Sequence, residues 1–93
     1  MIGYSDANKR QYMRMFFDGE TEDFCREVIM ALRLESKYKI FLIYRYVEHK
    51  SDKEIARMLN LSPDYVNKQM NVSLKESYEA LKHTPYKAFS TTK

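Results

Sequence analysis

The chain has 93 residues, which is enough for one domain with one small core. Hydrophobic residues make up 44% of it and charged residues 31%, a balance that excludes a disordered chain and, with only two glycines and two prolines, favours an all-α domain. The net charge of +3 permits binding to nucleic acid but does not require it.

Two helices are predicted in the N-terminal third of the chain. The first covers residues 5–17 and is capped by Ser5 or Asp6. Its apolar stripe consists of Tyr12, Met15 and Phe16. After a break at Asp18-Gly19, the second helix runs over residues 21–34, with acidic residues at its start where they suit the helix dipole. Cys25 lies on the apolar stripe of this helix and is expected to be buried in the core rather than to act as a nucleophile.

A third helix is predicted to begin at Ser36 and to end at residues 48–50. Its apolar residues cover a wide arc, so we expect it to be the central and most buried helix. Its basic residues either form a solvated face, the preferred interpretation, or add a basic edge; they are Lys37, Lys39 and Arg45.

Two more helices follow closely. Ser51 and Glu54 have the spacing of a capping box, and Asn60 ends the short helix that they begin. The inner face of this helix is predicted to consist of Ile55, Met58 and Leu59. Ser62 caps the fifth helix and Pro63 occupies its first position, where a missing N–H costs nothing. The fifth helix is expected to extend to about residue 82.

The spacing between Ser51 and Met70 predicts a helix-turn-helix, in which two short helices cross steeply over a tight turn. Ala56 is small enough for close approach of the helices, and Asn60 tolerates the left-handed conformation of the turn. Apolar residues must fill the angle between the helices. The residues that together meet these requirements of a helix-turn-helix are Ile55, Ala56, Leu59, Leu61 and Val66.

The stretch FLIYRYVEHKSDKEIARMLNLSPDYVNKQM resembles region 4 of bacterial sigma-70-type factors, especially the extracytoplasmic-function group, and is similar to small phage regulators of the ArpU type. The resemblance covers roughly residues 28–81. The matching residues are Tyr44-Arg45-Tyr46, Glu48, Ser51, Lys53-Glu54-Ile55-Ala56, Leu59, Leu61-Ser62 and Val66. Asn60 replaces the usual turn glycine, and 93 residues leave no room for the region 2 that melts promoters.

The resemblance implies an all-α domain of about five helices. A sigma region 4-like domain at residues 28–83 would pack on an N-terminal helical hairpin at residues 1–27, followed by a flexible tail at residues 84–93. Without region 2, we expect a regulator with region 4 alone, half of a split factor, or an excised domain. The hairpin would serve dimerisation or docking of a partner.

By the family's pattern, the N-terminal half of the fifth helix enters the major groove of DNA. Asn can pair with adenine, Lys with guanine or phosphate, and Asp with cytosine, while Tyr can contact phosphate or a thymine methyl. The residues predicted to contact DNA are Ser51, Lys53, Ser62, Pro63, Asp64, Tyr65, Asn67, Lys68, Asn71 and Lys75. Four of them share one helix face: Asp64, Lys68, Asn71 and Lys75.

Residues 62–82 carry equal numbers of basic and acidic side chains, so a lone copy is expected to bind DNA weakly. A second copy or RNA polymerase would supply the remaining affinity. Two functions fit. The first is a transcription regulator of a phage or mobile element that binds double-stranded DNA. The alternative is a protein-interaction module of the same fold that binds RNA polymerase, a sigma factor or itself.

Other classes of protein are disfavoured. The single cysteine cannot form an internal disulfide, and no Cys/His cluster has metal-ligand spacing. The longest dense apolar stretch, residues 40–47, is too short to cross a bilayer, and the N-terminus lacks the apolar run of a signal peptide. No acid–base pair, nucleophile set or phosphate loop is visible. We therefore expect a cytoplasmic protein without catalytic residues, cofactor or metal.

Overall fold

The computed structural model describes residues 5–83, and this part of the chain contains helices and no strands. The five α-helices are α1 (Asp6–Asp18), α2 (Glu22–Ala31), α3 (Ser36–Leu42), α4 (Asp52–Leu59) and α5 (Pro63–Lys82). The predicted all-α class with about five helices is therefore confirmed. The predicted tail at residues 84–93 lies outside the described residues.

Four of the helices begin in the same way. In each, a hydroxyl oxygen accepts a hydrogen bond of 3.1 Å from the backbone N–H three residues further on. The capping residues are Ser5, Thr21, Ser51 and Ser62. Each bond satisfies one of the N–H groups that a helix start leaves without a partner. The predicted caps at Ser51 and Ser62 are thus confirmed, Ser5 rather than Asp6 caps α1, and Thr21 caps α2.

The helix at the centre of the fold is α5, which packs against α1, α3 and α4. Its inner face is fully buried at Val66 and Met70 and continues through two buried serines to Ala80. Ser73 and Ser77 donate their hydroxyl protons to carbonyls of their own helix at 2.7 Å, so these polar groups are satisfied inside the core. The prediction that the third helix is central is wrong, because α5 is long enough to contact three other helices.

The inner face of α1 also differs from the prediction. Met13 and Phe17 are buried, whereas Tyr12 and Met15 of the predicted stripe are 48% and 64% exposed. Apolar residues occupy two overlapping stripes of this helix, and packing selects one of them. The buried stripe joins the same core as α4 and α5, so the described part of residues 1–27 is integral to the domain.

A π-helical turn, Ile43–Val47, continues α3. The backbone N–H of Glu48 donates to the carbonyl of Ile43 at 3.0 Å, five residues back, which widens the helix by one residue. The turn places Tyr46 and Val47 in the core, and the Tyr46 ring stacks on Phe17 with centroids 5.0 Å apart. The helix ends at the predicted place, but the sequence does not predict the π turn.

The turn between α4 and α5 has the predicted conformation. Asn60 is left-handed, with φ 59° and ψ 48°, and the N–H of Leu61 donates to the carbonyl of Ala56 at 2.8 Å. These features form a Schellman-type end to α4. Ala56 and Val66 are buried as predicted, but Leu61 is 37% exposed and only partly fills the angle between the helices.

The inner face of α4 is also narrower than predicted. Ile55 is fully buried and Leu59 is half-buried, but Met58 is 49% exposed. α4 has only eight residues, and only the side of it that faces α5 is buried. The prediction of Met58 as an inner residue is therefore wrong.

Substitution at Asn60 tests the turn. Asn60→Ala should lower the free energy of unfolding by about 1 kcal/mol, because a Cβ-bearing residue without a short polar side chain is strained in the left-handed region. Asn60→Gly should be at least as stable as the parent chain. Urea unfolding followed by circular dichroism measures both, and equal stability of the alanine and glycine variants would contradict this conformation.

Cys25 is buried as predicted, with 1% of its surface exposed, and its thiol donates to the carbonyl of Phe17 at 3.2 Å. Burial, reinforced by the carboxylates of Glu20 and Asp18, raises the pKa of the thiol to about 11. Since the thiolate is the reactive form, the native thiol is inert in neutral solution.

Reaction with a thiol reagent tests the burial of Cys25. At mildly alkaline pH the folded chain should react many times more slowly than the chain in concentrated urea, because folding both raises the thiol pKa and closes access to it. The rate of release of the chromophore from a disulfide reagent measures this. Similar rates in the folded and unfolded states would show that α1 and α2 do not pack as described.

Candidate nucleic-acid interface

The start of α4 is a complete capping box. The Ser51 hydroxyl accepts from the Glu54 N–H at 3.1 Å, and the Glu54 carboxylate accepts from the Ser51 N–H at 2.9 Å. The backbone hydrogen bond from Ser51 lowers the pKa of Glu54, so its carboxylate stays charged in the box. Ser51 and Lys53 are both exposed.

The first two turns of α5 are exposed on their outer side. Ser62 accepts from the Tyr65 N–H, Pro63 occupies the first turn, and Val66 is fully buried against the core. The side chains that point away from this anchor are exposed. They are Asp64, Tyr65, Asn67 and Lys68. All of them belong to the predicted DNA-contacting set, and the structure brings them together on one short stretch of helix.

The next turns of α5 are covered by α1. Arg14 donates from Nη2 to Oδ1 of Asn71 at 3.1 Å, and the Tyr12 and Tyr78 rings meet edge to face at 5.6 Å. As a result, Asn71 and Lys75 are half-buried rather than pointing freely outward. The face predicted to include both residues is therefore divided: its first half is open and its second half lies against α1.

A carboxylate at the start of α4 connects three elements. One oxygen of Asp52 accepts from Arg45 in the π turn, and its other oxygen accepts from Nδ2 of Asn67 on α5 at 3.3 Å. The side chains of Asp52 and Arg45 are both half-buried. In this bridge the amide N–H₂ of Asn67 faces Asp52 and its carbonyl oxygen is turned away.

A cleft of about 720 Å³ opens beside this bridge, between the end of α1 and the start of α4. Four basic side chains line it: Arg14, Arg45, Lys50 and Lys53. The sequence predicts only Lys53 as a DNA contact. It could not reveal Arg14, because this residue is 57 positions from its partner Asn71 and meets it only in the folded chain.

The charge of the cleft is mixed. Four carboxylates also line it: Asp18, Glu20, Asp52 and Glu54. Asp52 is paired with Arg45, and Glu54 is held in the capping box. The possible basic edge of the third helix is not present as one surface either: Lys39 donates to the Met30 carbonyl, and Lys37 lies 3.8 Å from Glu35.

Comparisons with models of known protein families, with curated proteins and with solved structures gave no match. None of the helices between residues 5 and 83 combines the length and the apolar composition needed to cross a membrane.

A double-mutant cycle tests how firmly α1 covers α5. Arg14→Ala and Asn71→Ala should each destabilise the chain, and the double variant should lose less than the sum, with a coupling of about 0.5–1.5 kcal/mol from the shared hydrogen bond. Urea unfolding of the four chains measures this. Additive losses would show that the two side chains do not interact and that Asn71 is free.

Proposed function

We propose that this chain is a DNA-binding transcription regulator that places the first two turns of α5 in the major groove of double-stranded DNA. The observation that carries the proposal is the open start of α5. It is capped by Ser62, anchored by the buried Val66 and held against α4 by a left-handed turn, while four polar or aromatic side chains remain exposed.

The shape of this end of the molecule suits the groove. The major groove of B-DNA admits one α-helix, and in helix-turn-helix proteins the start of the second helix contacts base edges while the first helix crosses the backbone. Here α4 and α5 pack directly on each other across the Asn60 turn. The resemblance of residues 28–81 to sigma region 4 supports the same orientation.

Each exposed side chain has a role that its chemistry allows. Asn67, with its carbonyl oxygen turned away from Asp52, can accept a hydrogen bond from adenine or cytosine. Lys68 can donate to guanine or to a phosphate, Asp64 can accept from cytosine, and Tyr65 can contact a phosphate or a thymine methyl. The N–H groups at the start of α5 and the exposed Ser51 and Lys53 can hold backbone phosphates.

Lysines outside α5 compensate in part for its neutral charge. Lys50 and Lys53 lie at the start of α4, on the cleft beside the Asp52–Asn67 bridge. Each lysine that reaches a phosphate adds affinity by releasing counterions, and the number of such contacts sets the salt dependence. With so few free lysines on this side, we expect one copy to bind DNA weakly and with a shallow salt dependence.

Alanine substitutions at two lysines of α5 test the proposal. Duplexes selected from a random-sequence pool by the purified chain are titrated by fluorescence anisotropy over a salt series. Lys68→Ala should weaken binding by about fivefold to tenfold and make the slope of log K against log salt shallower by about 1. Lys75→Ala should have a smaller effect, because Lys75 is half-buried.

Lys37→Ala is the matched control, because the Lys37 side chain is 61% exposed and lies on α3, away from the start of α5. It removes the same charge and should leave binding nearly unchanged. Absence of salt-dependent duplex binding would overturn the proposal. So would equal losses at Lys37 and Lys68, or co-purification with RNA polymerase that persists after nuclease treatment in a chain without affinity for DNA.

A further inference from the structure

An apolar groove of about 420 Å³ runs along the side of the molecule formed by the end of α2, α3, the π turn and the last residue of α4. Its floor consists of Met30, Ile40, Ile43, Tyr44 and Leu59. Met30 is 60% exposed and Ile40 is 47% exposed, although both are large apolar side chains. No residue between 5 and 83 covers these two side chains, so a cluster of apolar surface faces solvent here.

The groove has opposite charges at its two ends. Lys39 lines one end, where its ammonium donates to the Met30 carbonyl at 2.8 Å and retains two further N–H donors. Glu48 lines the other end and is exposed. The midpoint between positions 39 and 48 falls at Ile43 and Tyr44, which belong to the apolar floor. The pattern is therefore basic, apolar and acidic along one line.

Such a line is complementary to itself. In a dimer with two-fold symmetry, residue i of one copy contacts residue j of the other, and residue j contacts residue i in return. An axis that passes over Ile43 and Tyr44 and aligns the two grooves antiparallel places Lys39 of each copy against Glu48 of the other. The same axis places the two apolar floors face to face.

We propose that this groove is the interface through which two copies of the chain form an antiparallel, two-fold symmetric dimer. Eight residues line the groove, fewer than the roughly 20–30 residues a side of a stable interface, so the dimer dissociates readily. The apolar contact supplies the attraction, and the pairs between Lys39 and Glu48 fix the antiparallel register.

The groove leaves the candidate nucleic-acid interface free. None of its lining residues belongs to α5, and none belongs to the cleft beside Asp52. A dimer would therefore present two copies of the open α5 start at once. This doubling would compensate for the weak binding expected of one neutral helix. The dimer itself does not require DNA binding, so it can be tested separately from the proposed function.

Exchanging the charges of Lys39 and Glu48 tests the proposed dimer. Self-association of the purified chain is measured by sedimentation equilibrium without DNA. Glu48→Lys and Lys39→Glu should each weaken the dimer by about tenfold or more, because each places like charges opposite each other twice. The double variant, which restores both pairs in reverse, should return to within about threefold of the parent chain. Ile40→Asp should leave only monomer.

Two controls accompany these variants. Met15→Asp changes an apolar side chain of α1 that is 64% exposed but lies outside the groove, and Lys37→Glu reverses a charge on α3 beside it; neither should alter the dimer. Circular dichroism confirms that each variant folds. A chain that stays monomeric at its highest soluble concentration overturns the inference, as does a dimer that Ile40→Asp leaves intact or that the double variant fails to restore. Duplex binding by such a monomer would leave the proposed function standing.

Discussion

The fold depends on the burial of α5 against three other helices. Helices as short as α3 and α4, with seven and eight residues, are unstable alone in water and need tertiary contacts to form. The fully buried side chains of α5, such as Val66 and Leu74, give those contacts along most of its 20 residues. The remaining elements, including the left-handed turn at Asn60, are arranged around that packing.

The same packing covers the later turns of α5 and leaves its first turns exposed. Its later turns are covered by α1 through the Arg14–Asn71 hydrogen bond and the Tyr12–Tyr78 ring contact, so they hold the domain together. Its first turns have only Val66 in the core and leave their other side chains open. The proposed contact with DNA therefore uses about two helical turns. Selectivity in such a short segment would depend on few side chains, and Asn67 is one of them.

The distribution of charge connects the two proposals. The candidate interface carries carboxylates among its basic residues, and α5 itself is neutral, so one copy offers few phosphate contacts. The apolar groove on α2 and α3 lies on residues that the candidate interface does not use. Pairing two weak copies through a weak contact would make DNA binding depend on chain concentration, which is a suitable property for a regulator.

The sequence by itself determined the features that arise within a few residues. The caps at Ser51 and Ser62 and the left-handed turn at Asn60 were predictable because their hydrogen bonds join neighbours in the chain. Only the tertiary structure decided which stripe of α1 is buried, because two apolar stripes compete there and packing in the shared core buries Met13 and Phe17. It also decided that Asn71 and Lys75 are half-buried and that Arg14 donates a hydrogen bond to Asn71. These outcomes depend on contacts between residues far apart in sequence, whose geometry no local pattern contains.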